Sequence, residues 1–127
     1  MTVSDAMNLL LNLLNMLLII LILAHWSACV FLIAGLYMSE TQGQSWLSYQ
    51  DYQDLSRMEQ YVNALYFSIT TMCTIGYGDI RPVTSPEYLV VIGLELVAGI
   101  FFAYILGKIG SLFTRYNLLA ESYREKQ

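Results

Sequence analysis

The stretch Thr74-Ile75-Gly76-Tyr77-Gly78-Asp79 follows an apolar, aromatic and hydroxyl-bearing run, Gln60 to Cys73, and precedes Pro82 and Pro86. Long apolar segments lie on both sides, Leu9 to Tyr37 and Tyr88 to Phe113. Each exceeds the roughly 20 residues that span hydrocarbon, whereas the run of about 14 residues before Thr74 is too short to cross and fits a re-entrant helix. The glycine pair then breaks helical continuity. Non-helical backbone at membrane depth is tolerated only where protein buries it or where it lines a water-filled path. The two prolines mark the return to the surface.

Composition agrees with a bilayer setting. Of 127 residues, 57% are hydrophobic and only 13% charged, well above the apolar content of a soluble domain. The first apolar stretch is too long for a signal-peptide core, and Met1 to Asn8 carries Asp5 but no Lys or Arg, so it reads as a retained anchor. Asn8, Asn12 and Asn15 form a polar stripe at helical spacing that suits a cytoplasm-proximal end. The net charge of −4 is uneven: Lys108, Arg115, Arg124 and Lys126 follow the middle of the second span, while Glu40, Asp51, Asp54 and Glu59 lie between spans. The positive-inside rule then places both termini in the cytoplasm and Ser39 to Pro86 outside. Cys29 and Cys73 fall in membrane segments and form no disulfide framework. No nucleophile-base pair, metal cluster or phosphate loop speaks for an enzyme, and the acidic balance speaks against nucleic acid. Regularly spaced Lys or Arg in a span is absent, so the chain carries no voltage sensor of its own.

The Thr74 to Asp79 segment resembles the potassium-channel signature. A potassium ion must shed water to be selected, and rings of backbone carbonyls replace that water. The resemblance implies K+ ions at Thr74, Ile75, Gly76 and Tyr77, with Gly78 completing the filter and the Thr74 hydroxyl at its cytoplasmic end. Gly76 and Gly78 give the backbone its freedom. One chain cannot close a ring, so a homotetramer or a heterotetramer of similar subunits is implied. Tyr66 and Thr70 stand eight and four residues before Thr74, on the helix face toward the filter, with Asp79 within reach of the Tyr66 hydroxyl. Some potassium channels carry an acid at the Thr70 position; here it is missing. A plain tight turn is the alternative for the glycine pair, and the apolar flanks argue against it.

Ala24-His25-Trp26-Ser27-Ala28-Cys29 resembles the outer-helix pattern of channels with cyclic-nucleotide-binding-type domains, a branch that includes ether-à-go-go, plant inward-rectifying and hyperpolarisation-activated channels. Ser45-Trp46-Leu47, Ala64 to Thr71 and Ser122 to Lys126 look like the same branch. It implies an all-α membrane protein, two transmembrane helices with a re-entrant pore helix and filter, assembling as a tetramer. The expected segments are an outer helix with a short cytoplasmic lead over 1–38, an extracellular turret over 39–59, a pore helix over 60–73, a filter over 74–79, an outer-mouth loop over 80–87, an inner helix over 88–115 and a cytoplasmic tail over 116–127. A full-length parent would add voltage-sensing and cyclic-nucleotide-binding domains, and the chain stops where a C-linker would begin. An excised pore module is therefore expected, with a stand-alone two-span channel as the alternative. Nonselective relatives lack the tyrosine-containing filter and hyperpolarisation-activated ones lack the Thr74 and Asp79 equivalents, so potassium selectivity in a plasma membrane is the expectation. A nonselective pore of the cyclic-nucleotide-gated type, or a modulatory non-conducting subunit suggested by Arg81, stand as alternatives.

In the second span, Ala98 and Gly99 occupy the region of a hinge, and Gly107 and Gly110 flank Lys108 near the cytoplasmic side. Phe102, Tyr104, Ile105 and Ile109 are candidates for a dewetting gate, although glycine in a membrane helix also simply permits close packing. Glu95 is an acid inside a span, which is expensive and marks a function. It either concentrates cations in a cavity or bonds to the pore helix as structural glue, and the second is favoured.

Overall fold

The computed structural model describes residues 2–126; the expected ends at Met1 and Gln127 lie outside the described residues. Four helices follow one another: α1 (Val3–Gln42), α2 (Trp46–Tyr49), α3 (Arg57–Met72) and α4 (Ser85–Glu125). Both α1 and α4 are long and apolar enough to cross a membrane. At 1.5 Å per residue each is about 60 Å long, twice the hydrocarbon thickness, so their ends extend beyond it or the helices tilt.

The element boundaries differ from those drawn on hydropathy, and the caps explain the differences. Thr2 and Asp5 form a reciprocal capping box, so α1 starts at Val3. It runs past residue 38 and stops where Gly43 takes a left-handed φ of 70° and donates its N–H to the Ser39 carbonyl. Ser56 and Glu59 form another capping box, at 3.2 and 3.0 Å, which starts α3 three residues before the expected Gln60. Thr84 and Glu87 form one more, with Pro86 in the first turn, so α4 begins at Ser85 rather than residue 88. It continues unbroken to Glu125, beyond the expected end at 115.

The packing centre lies at the outer end. Phe31 of α1 is sandwiched between Trp46 of α2, at 4.5 Å between ring centroids and 10° between planes, and Phe67 of α3, at 4.1 Å and 20°. Ala28, Leu32, Leu47, Ala64, Ile80 and Val91 complete this cluster. The segment 39–59 is thus no merely solvated turret, because Ser45, Trp46 and Leu47 are fully buried. Gly35 makes room for this. A Cβ there would lie 2.3 Å from the Trp46 Nε1, and that indole donates to the Phe31 carbonyl at 3.1 Å. A smaller cluster of Ala24, Met72 and Ala98 joins α1, α3 and α4 deeper down. Among the described residues α4 buries nothing beyond Ala98, which leaves a long apolar face for lipid or other chains.

Candidate functional site

The Thr74–Asp79 segment is held from behind by the end of α3. The Thr70 carbonyl accepts the N–H of Ile75 at 2.8 Å and of Gly76 at 3.2 Å, and Thr74 donates to Thr71 at 3.1 Å. This is a Schellman-type ending with Thr74 at the left-handed position, φ 59°. Glycine normally fills that position, and a threonine there stores about 1–3 kcal/mol of strain. Gly76 and Gly78 follow with φ of 60° and 76°, the freedom expected of them. Every residue from Cys73 to Asp79 is exposed within the single chain.

The expected bond between Tyr66 and Asp79 is present. The phenol donates to Asp79 Oδ2 at 2.8 Å, and the Tyr66 and Tyr77 rings lie parallel, 6.4 Å apart. That hydrogen bond holds the Asp79 carboxyl below its ordinary value and raises the Tyr66 phenol above its own. Thr70 touches the segment through its carbonyl. Its hydroxyl donates to the Phe67 carbonyl of its own helix at 2.9 Å, so its support comes through the backbone and not the side chain.

A second set of contacts comes from the outer loop. Gln50 Nε2 donates to the Asp79 carbonyl. The Arg81 guanidinium lies 5.4 Å from the Tyr49 ring centroid and donates to the Tyr49 hydroxyl at 3.1 Å. Both partners sit at the end of α2. Glu87, fully buried, accepts the Trp46 N–H on Oε1 at 3.0 Å and the Val83 and Thr84 N–H groups on Oε2 at 3.0 and 3.3 Å. Sequence reasoning missed Glu87, Gln50 and Gly35. The signal for Glu87 was a threonine three residues before an acid at a helix start, a capping box.

The remaining candidates are dispersed. Ala98 is buried against α1 and α3, whereas Gly99, Gly107 and Ile109 are exposed and Phe102 and Ile105 half-buried. Since α4 is continuous, no hinge is expressed at Gly99 or Gly107 in this conformation. Glu95 is exposed beside the buried stripe of Glu87, Val91 and Ala98, and no bond to α3 of its own chain accompanies it. Cys73 is exposed at the α3 C-cap. His25 bonds the Tyr61 hydroxyl and so ties α1 to α3. Lys108 reaches over the Tyr104 ring, 5.9 Å from its centroid. Among the described residues no cluster of three or more His, Cys, Asp or Glu could hold a metal ion.

Two membrane-capable helices flank a short helix and an exposed segment with left-handed glycines, an arrangement that suits the pore domain of an ion channel. Residues 2–121 match the family described as ion transport protein, and the chain belongs to that family. It is 32% identical over 114 residues to potassium channel GORK of Arabidopsis thaliana, covering 80% of this chain and 13% of that channel. Cyclic nucleotide-gated channel alpha-3 of Homo sapiens is 34% identical over 116 residues, 88% of this chain and 16% of its own. The voltage-gated delayed rectifier potassium channel KCNH5 of Homo sapiens is 28% identical over 127 residues, 82% and 13% respectively. The chain therefore spans less than a fifth of these relatives. They belong to the branch that the Ala24–Cys29 pattern resembles. The kinship is with integral membrane channels and not with enzymes.

Proposed function

We propose that this chain is a potassium-selective pore module in which four copies surround one axis and conduct K+ through backbone carbonyls of Thr74 to Gly78. The observation that carries this reading is the exposed segment with left-handed φ at Thr74, Gly76 and Gly78, braced by Tyr66 through Asp79. The strain at Thr74 supports it further. Glycine would fit that backbone, so keeping threonine makes sense where its hydroxyl is needed as an ion ligand. The α3 C-terminus would aim its partial negative charge at a central cavity, with Glu95 adding charge if it faces the same space. In this proposal α3 is re-entrant, both termini are cytoplasmic, the membrane is the plasma membrane, and a parent protein supplies voltage-sensing and cyclic-nucleotide-binding domains.

The kinship with a cyclic nucleotide-gated channel keeps a nonselective pore as the second reading. Tyr77 and Asp79, the pair that Tyr66 stacks on and bonds to, argue for the first. A modulatory, non-conducting subunit is the weaker case, because Arg81 is drawn onto Tyr49. Reconstitution in planar bilayers with a potassium gradient, followed by replacement of part of the potassium with sodium on one side, decides between them. A reversal potential tracking the potassium Nernst value supports a selective homotetramer, and one near zero supports the nonselective pore. Absence of current from intact tetramers would favour the modulatory subunit.

A further inference from the structure

Glu87 is the most buried acid in the chain, and the ion path proposed above makes no use of it. Its two oxygens collect three backbone N–H groups from two separate places, the first residue of α2 and the loop leading into α4. It also sits in the first turn of α4, where the helix dipole favours negative charge. Four residues of helix have no stability of their own, so the placement of α2 depends on what its ends are tied to. Those ties are Glu87 at Trp46 N–H, the Gly35 slot and Phe31 carbonyl at the indole, and the Ser45 cap. At the far end of α2, Tyr49 and Gln50 hold Arg81 and the Asp79 carbonyl.

We infer that Glu87 is a positioning residue for the outer end of the ion path, acting through α2 and Gln50 on the Asp79 backbone. The inference rests on the proposed pore reading for its functional meaning, and its geometry stands without it. Asp79 is then gripped twice by independent elements: its side chain by Tyr66 of α3 and its carbonyl by Gln50 of the outer loop. Glu87→Gln disturbs the anchorage of α2 and of the α4 start on which the second grip depends. Whichever way the carboxamide lies, its NH2 meets a backbone N–H, and at least one donor loses its partner.

The test is hydrogen–deuterium exchange of the backbone amides of residues 79–81 in detergent-solubilised protein, with current decay under sustained opening recorded alongside. Glu87→Gln and Gln50→Ala should each speed exchange about tenfold. The double variant should be no faster than the faster single one, whereas Tyr66→Phe should multiply with either. A Glu87 that merely stabilises the fold would lower the melting temperature while leaving exchange at 79–81 at the wild-type rate, and that result overturns the inference. Multiplicative effects of Glu87→Gln and Gln50→Ala overturn it equally. Should Glu87→Gln fail to fold, Gln50→Ala still decides, because it truncates one half-buried side chain; unchanged exchange there sinks the idea. Exchange needs no current, so a wild-type chain that fails to select potassium removes the pore reading without touching the positioning role.

Discussion

At the scale of single residues, the Tyr66–Asp79 bond links structure to pH. The Asp79 value is lowered in the fold, so its contribution is present above the ordinary 3.8 and fades as pH falls through the lower folded value. The Tyr66 value is raised, so its contribution is present below the ordinary 10.0 and is lost as pH rises through the higher folded one. Current decay during sustained opening should hence be flat between about pH 5 and about pH 9 and quicken at either extreme. Tyr66→Phe should quicken decay about threefold or more and abolish that dependence; patch recordings with unchanged decay would remove the brace. Ser68 offers a contrasting case. Its hydroxyl is buried, 2% exposed, and unpartnered, so Ser68→Ala should leave the melting temperature unchanged or higher. A fall of several degrees would reveal a hidden partner, such as a bound water. The Tyr66 bond was legible because the resemblance set Thr74–Asp79 beside α3 and helical spacing put Tyr66 on the face toward it. Thr70's hydroxyl was not, because a hydroxyl that can reach its own helix competes with any longer bond.

At the scale of elements, hydropathy located α1, α3 and α4 but set their ends by where apolar character fades. Ends are fixed instead by caps, and the boxes at Ser56 and Thr84 moved two starts by three residues. Helix α2 was illegible for a different reason. Its four residues carry no period, and its existence depends on a slot cut into another helix at Gly35, which no periodicity of α2 itself reveals. Gly35→Ala measures that dependence. In an isolated helix alanine gains about 1 kcal/mol over glycine. Here the new methyl overlaps the indole, which costs about 1–3 kcal/mol as overpacking and threatens the Trp46–Phe31 bond, worth about 1 kcal/mol. The penalty outweighs the gain, so the variant should melt lower than wild type in a thermal scan. An increase would show that the indole swings aside freely.

At the scale of the whole molecule, the two long helices leave wide apolar faces uncovered. The deep half of α4 and much of α1 expose Leu10, Leu14, Leu106 and Phe113, a surface that lipid can cover only in part if α4 lines a shared axis. Glu95 belongs to this scale, because no hydrogen-bond partner for it lies among the described residues and its meaning depends on the neighbours. Facing a cavity, four copies would attract cations, and Glu95→Gln is expected to weaken block by internal magnesium by at least about threefold. Block of wild-type strength in that variant would place Glu95 against an adjacent subunit instead. Helix rotation and subunit neighbours are interface properties. A lone sequence states them only through resemblance, which is why the segment Thr74–Asp79 was legible and the facing of Glu95 was not.

The tie between Trp46 and Glu87 also orders events in time. Forty-one positions separate its two ends, so when residues 43–56 leave the ribosome, the acceptor that will seat them has not yet been made. The ring stack is likewise incomplete until Phe67 follows. The contacts of Trp46 with Phe31 and Gly35 can form as soon as the loop is made, whereas its tie to Glu87 cannot form until the start of α4 arrives.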